Sequence, residues 1–231
     1  MQTFQQSFAH AWHLVVSGDA TLLEIVLLSL RVSITATLIA CVAGLPLGAL
    51  LATQNFRGKW VINLLVNTLM GMPPVVLGLV VYMLLSNAGP LGWLQWLYTP
   101  SAMILAQTVL IMPIVAALSR QVVEDRWTEC REQFQSLCVP WYRAVFTMLR
   151  DCQTSLFTVA AAGFARAISE VGAVIVVGGN INHLTRVMTT AIALETSKGD
   201  LALALALGSI LMTIALFVNA VVLGTRQRLQ A

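Results

Sequence analysis

Long apolar runs separated by short polar stretches set the pattern of this chain. A bilayer core about 30 Å thick needs about 20 mostly apolar residues in a helix. Five runs reach that length, and they predict spans over Leu28 to Ala52, Leu64 to Leu85, Ser101 to Leu118, Leu156 to Val177 and Leu201 to Leu223. The last opens Leu-Ala-Leu-Ala-Leu-Ala-Leu-Gly, which alternates in size as a strand does. Leu and Ala are strong helix formers, and a lone strand leaves its backbone unpaired in lipid, so helix is expected there. Residues 1–27, with His10, Trp12, His13, Asp19 and Glu24, mix polar and apolar positions too evenly to span. They predict an amphipathic helix lying on the interface. Pro46 and Pro73-Pro74 should bend or begin their spans. The fold class is all-α integral membrane, with about five transmembrane helices in a single unit and no internal repeat.

Composition agrees: the chain is 58% hydrophobic and 10% charged, with mean hydropathy +0.83, where a soluble domain carries about 25% charged residues. The net charge of +3 is spread over short loops and forms no basic face, so nucleic acid is not an expected partner. It reports topology instead. With the N-terminus outside, Arg57, Lys59, Arg120, Arg126, Arg131, Arg143, Arg150, Arg226 and Arg228 fall on the inside, and the outer loops keep only Arg186 and Lys198. The positive-inside rule then places the N-terminus outside and the C-terminus in the cytoplasm. The organisation expected is an interfacial segment over 1–24, a transmembrane domain over 25–225 with a cytoplasmic loop at about 120–153, and a tail over 226–231. No Lys or Arg precedes Arg31, so a cleavable signal peptide is not indicated and the first span serves as the targeting signal. Cys41, Cys130, Cys138 and Cys152 match no metal spacing and imply no disulfide. Gly58-Lys59 is followed by Trp60 and lies in no phosphate-cradling loop, so this chain carries no nucleotide machinery and no cofactor of its own.

Two charges, Arg166 and Glu170, stand in the middle of the fourth span. Each costs about 2.5–3.5 kcal/mol at a bilayer centre unless it pairs or faces protein or water. Their i, i+4 spacing puts them on one helix face, with Ser169 flanking it. Two readings stand: a structural pair that neutralises itself, or a pair lining a path. Ala160, Ala161, Ala162, Gly163, Ala165 and Ala167 make this span small-sided, suited to close helix contact within or between protomers. Gly178 to Asp200, with Asn180, Asn182, His183, Thr185, Arg186, Thr189, Thr190 and Thr196, reads as an outer vestibule or an ordinary polar loop with a short helix. Between spans three and four, Arg120 to Gln153 predicts an exposed helix, a break at Val139-Pro140 and a second helix from Trp141-Tyr142. Phe134, Leu137, Trp141 and Tyr142 would be apolar knobs for a groove on a partner, or parts of a solvated connector.

The run Glu132-Gln-Phe-Gln-Ser-Leu-Cys138-Val-Pro-Trp141 resembles the EAA loop of ABC importer permeases, with Gln133 and Phe134 in place of the usual Ala-Ala and Cys138 in place of the usual Gly. Leu30-Arg-Val-Ser-Ile-Thr-Ala-Thr-Leu, Gly44-Leu-Pro-Leu-Gly and Gly71-Met-Pro-Pro-Val-Val-Leu-Gly78 are similar to the opening spans of molybdate, tungstate and sulfate permeases. Gly163-Phe-Ala-Arg-Ala-Ile-Ser-Glu-Val-Gly172 and Thr185 to Asp200 resemble the tungstate branch in particular. The resemblance, from about Leu22 to Leu223, implies a type I importer transmembrane domain in a bacterial or archaeal cytoplasmic membrane. It implies a homodimer, two copies of a separate ATPase and a periplasmic or lipid-anchored oxyanion-binding protein. Glu132, Gln133, Phe134, Leu137, Cys138, Pro140, Trp141 and Tyr142 would form the coupling helix that contacts the ATPase. Arg166, Ser169, Glu170 and Asn180 become candidates for the translocation path or gate, with no catalytic or metal-binding residue expected. A molybdate or sulfate permease is the near alternative. An intramembrane enzyme using Glu170 is distant, since no second carboxylate lies in the spans. A self-sufficient secondary transporter meets the absence of an inverted repeat.

Overall fold

The computed structural model describes residues 19–230, and the side chains of residues 19–224. The described residues are helical with short connections: α1 (Ala20–Thr53), α2 (Lys59–Met70), α3 (Pro74–Leu85), a 3₁₀ turn (Gly92–Leu94), α4 (Pro100–Ser136), α5 (Trp141–Asp151), α6 (Gln153–Ile168), α7 (Gly172–Gly178), α8 (Met188–Lys198) and α9 (Leu201–Gln230). Length and composition give three helices able to cross a membrane alone, α1, α4 and α9, and up to five spans if α2–α3 and α6–α7 each count as one. The strand-like run at Leu201 is helix, as expected.

Three expectations change in detail. Asp19 caps α1, its carboxylate accepting the Thr21 and Leu22 amides at 2.9 and 3.2 Å. Residues 20–27 are therefore the opening turns of the first span helix, with Leu22 and Ile25 buried against α9 side chains such as Leu207. The rest of the predicted interfacial segment, 1–18, lies outside the described residues. The second span is two helices bent by 103°, because Pro73 disfavours helix at Met72 while Pro74 suits the first position of α3. The fourth span is likewise two helices, bent by 57°. Its break covers Ser169 to Val171, so Glu170 is not on the α6 face at all.

The centre of the bundle is the crossing of α1 and α4, which run parallel. A Cβ on Gly48 would stand 2.5 Å from the Ala116 carbonyl oxygen and 2.8 Å from the Arg120 nitrogen; on Gly44 it would stand 3.1 Å from the Met112 carbonyl. Only glycines permit this approach, and in lipid such close packing, rather than a hydrophobic drive, holds helices together. The Ser119 hydroxyl adds a bond to the Leu45 carbonyl at 3.1 Å. A second close contact joins the two broken spans to each other. Gly78 of α3 leaves room for Ala173 of α7, whose Cα would lie 2.8 Å from a Cβ there, and Gly172 does the same for the Val75 side chain at 2.7 Å.

Candidate functional site

Within a bilayer, a broken helix strands carbonyls that only protein or internal water can satisfy. At the α6–α7 break protein side chains do this. The Ala167 carbonyl accepts the Glu170 amide at 3.2 Å and the side-chain amide of Gln107, from α4, at 3.1 Å. The Glu170 carbonyl accepts the Thr189 hydroxyl, from α8, at 2.8 Å. The carboxylate of Glu170 spans the break: Oε1 accepts the Ala173 amide at 3.2 Å and Oε2 pairs with Arg166. Glu170 is 3% exposed, whereas the Arg166 side chain is 35% exposed. One partner of the pair is thus fixed in protein and the other reaches outward. A guanidinium and a backbone amide thus each take one of the two carboxylate oxygens.

Arg166 continues a stripe on α6. Ser155, Thr158 and Ala162 precede it at helical spacing, and these three line an open cleft of about 550 Å³ between α4 and α6. Asp125, Arg126, Glu129, Asp151 and Thr154 add polar groups to the lining, beside apolar residues such as Leu118, Val122 and Val159. Arg126 is paired with Glu129, which holds its guanidinium above the ordinary arginine range. Burial, reinforced by Asp151, pushes the Cys152 thiol up, so it remains protonated and inert at this wall. The cleft closes at Ala162, one turn short of the ion pair.

The predicted path residues fall in two places. Arg166, Ser169 and Glu170 sit together at the break, although the Ser169 hydroxyl turns back to the Arg166 carbonyl at 3.2 Å. Asn180 lies beyond the far end of α7, where Gly179 and Asn180 have φ of 71° and 51°. Its amide donates to the Thr190 carbonyl at 3.4 Å, and its Oδ1 is buried without a protein partner. Sequence reasoning did not single out Gln107 or the Thr158 stripe. A lone buried glutamine in a span was the available signal for the first, and Ser155-x-x-Thr158 for the second.

The predicted docking loop forms the α4–α5 corner. Its first arm is the last third of α4, continuous with the span. Cys138 has φ of 50°, its amide bonds the Gln135 carbonyl and the Val139 amide bonds the Phe134 carbonyl, both at 3.1 Å. This is a Schellman turn, whose left-handed residue favours glycine, and it accounts for the glycine usual at this place in the resembled loop. Pro140 then opens α5. Ala144 and Met148 bury one face of α5 against α1 and α4, in a cluster with Ala49 and Val123. The other face presents Leu137, Trp141, Tyr142 and Phe146, exposed by 75%, 58%, 54% and 70%. Glu132 and Gln133 are exposed beside them. Phe134 differs from the expectation: it turns inward onto Trp127, ring centroids 5.4 Å apart, and supports the corner. Phe146, one turn after Tyr142, takes its place among the knobs and was missed.

At the opposite end of the bundle, Glu195 is buried with Lys198 at 3.0 Å and Arg186 at 4.0 Å. His183 meets Glu24 of α1 at 2.7 Å. These contacts seat α8 and the Gly178–Asp200 segment on the bundle, so that segment is an ordered corner containing one helix.

Broken helices packed together near their breaks, a charged pair one turn from an open cleft, and an exposed apolar corner describe a multi-helix membrane subunit. The chain belongs to the family of binding-protein-dependent transport system inner membrane components, which matches residues 44–230. It is 41% identical over 222 residues to the tungstate uptake system permease protein TupB of Peptoclostridium acidaminophilum, covering 96% of this chain and 97% of that one. A probable anion ABC transporter permease protein of Haloferax volcanii is 39% identical over 90% of both chains. The TupB permease of Campylobacter jejuni is 39% identical over 71% of this chain and 69% of its own. Permeases named for sulfate and molybdenum transport match at lower identity. The chain is therefore a multi-pass inner-membrane transport component, not an enzyme, and the reading of Glu170 as an intramembrane acid or base falls. A permease of this kind works with an ATPase and a substrate-binding protein.

Proposed function

We propose that this chain is the permease subunit of a tungstate importer, acting as a homodimer with two ATPase subunits and an external oxyanion-binding protein. The observation that carries the conducting role is the Arg166–Glu170 pair set at a helix break above the Thr158 stripe. In this reading the N-terminus and the α7–α8 corner face outward, and the α4–α5 corner faces the cytoplasm, as the distribution of Lys and Arg favours. Two copies place their α6 stripes and clefts around a shared path. The partly exposed arginine offers a transient favourable charge to a tetrahedral dianion, and the carboxylate at its side keeps that attraction weak enough for release. Leu137, Trp141, Tyr142 and Phe146, with Glu132 and Gln133 beside them, enter a groove on each ATPase. ATP binding draws the two corners together, the spans rock toward outward-open, and substrate passes from the docked binding protein. Hydrolysis resets the cycle. Tungstate is preferred to molybdate and sulfate because the higher-identity relatives carry that name.

The test is ATPase activity of this chain with its cognate ATPase in lipid, after adding the binding protein empty or loaded with tungstate, molybdate or sulfate. Stimulation chiefly by the tungstate-loaded protein is expected. Stimulation by another loaded oxyanion removes tungstate and keeps the importer, and no stimulation by any removes both.

A further inference from the structure

We propose that Gln107 and Thr189 are positioning residues for the Arg166–Glu170 gate, and that α4 is the rod through which the α4–α5 corner acts on it. The proposal rests on the import reading above. The two residues grip the two sides of the break from different elements: Gln107 bonds the Ala167 carbonyl from α4, and Thr189 bonds the Glu170 carbonyl from α8. The α8 grip is itself anchored, because the Met188 amide donates to the Ser29 hydroxyl of α1 at 2.7 Å. From Gln107, α4 runs as one helix, with Pro113 inside it, to Ser136 at the docking corner, about 43 Å at 1.5 Å per residue. Because α1 and α4 are packed backbone to backbone, a displacement of the corner moves them together, and the Gln107 and Thr189 grips carry the break with them. The angle between α6 and α7 then changes, and with it the reach of Arg166 toward the path.

Packing alone does not explain Gln107. The residue is 3% exposed, and while its Nε2 makes one bond, its Oε1 is buried without a protein partner. Leucine would fill the space and strand no acceptor, so the amide is accounted for by the one bond it makes. Thr189 is also buried, and the Glu170 carbonyl it caps lies within the break, outside both helices.

The test uses the full complex in vesicles and reads tungstate ions imported per ATP hydrolysed for Q107L, Q107M, T189V and T189S. The expected result is a fall of about tenfold for Q107L, Q107M and T189V, the effect of losing one buried hydrogen bond at the turning point. T189S, which keeps the hydroxyl, retains the wild-type ratio. A purely structural role would lower yield of the assembled complex and leave the ratio unchanged in what assembles. That result, or failure of all three hydrogen-bond-deleting variants to assemble, overturns the proposal. W141A reports separately on the import reading: if it uncouples and the Gln107 and Thr189 variants do not, only this inference falls. If the parent complex shows no tungstate-dependent hydrolysis, both fall.

Discussion

Between α2 and α3 the chain reads Gly71-Met-Pro-Pro74, and between α6 and α7 it reads Ser169-Glu-Val171. The first break is written locally. Two prolines remove amides and restrict the residue before them, so the bend needs no partner, and no side chain from another helix caps its carbonyls among the described residues. The second break contains no proline. It exists because Gln107, Thr189 and the Glu170 carboxylate take the hydrogen bonds that a continuous helix would have made internally. A break made of tertiary contacts changes when its partners move, whereas a proline break does not. Motion during transport is therefore predicted at α6–α7, with α2–α3 as its support.

The largest test of that contrast is removal of the charge partner. Arg166→Ala leaves Glu170 buried and unpaired, and should destabilise the chain by about 3–5 kcal/mol, measured by denaturant unfolding in mixed micelles. The double change Arg166→Met with Glu170→Leu should recover much of this, since neither charge is then stranded. If Arg166→Ala alone costs less than about 1 kcal/mol, well below the usual range for a broken buried pair, the pair does not hold the break and the contrast fails.

Next comes the place where the two breaks touch. A valine at Gly78 would drive its Cβ to 2.8 Å from the Ala173 backbone, with no flexible atom to yield. Gly78→Val should cost about 1–3 kcal/mol and force α7 away from α3. The sharper readout is spin-label distance between α3 and α6 over the ATPase cycle. A fixed support predicts that wild-type α3 stays still while α6 moves, and equal displacement of the two would remove the distinction.

These differences in origin also set how much was legible in the sequence. Spans, the α4–α5 corner, the Pro140 stop and the proline bend follow from residues near one another in the chain, through hydropathy length and local backbone limits. The i, i+4 spacing found the Arg166–Glu170 partnership correctly, but for the wrong geometry: the residues meet across a break and not along one helix. Nothing in Ser169-Glu-Val171 announces that break, because its cause stands on α4 and α8, at Gln107 and Thr189, far away in sequence. Phe134 and Phe146 exchanged roles for a related reason. Which ring packs inward depends on Trp127 and on the rotation of α5 against α1, and periodicity within the loop fixes neither.

Pro73→Ala offers a smaller test of the local break. Pro74 still restricts the residue before it, so the bend should persist. The loss should be about 0.4–1 kcal/mol, from greater freedom of the unfolded chain. A straightened α2–α3 span, seen as a longer label-to-label distance, would show that this break too depends on more than its own residues.

The smallest effect is expected at another locally written turn, the Schellman corner at Cys138. A left-handed conformation costs a non-glycine residue about 1–2 kcal/mol, whereas glycine adds about 0.5–1 kcal/mol of unfolded-state entropy. Cys138→Gly should therefore stabilise the corner by about 0.5 kcal/mol, and Cys138→Val should weaken it by more, because a β-branched residue tolerates positive φ poorly. The side chain at 138 is exposed and in no disulfide, so either change removes little packing within the subunit. In the reconstituted importer, Cys138→Gly should leave ions moved per ATP unaltered while raising the unfolding midpoint. Should it instead uncouple transport, the thiol itself meets the ATPase, and the corner is more than a turn that carries its neighbours into place.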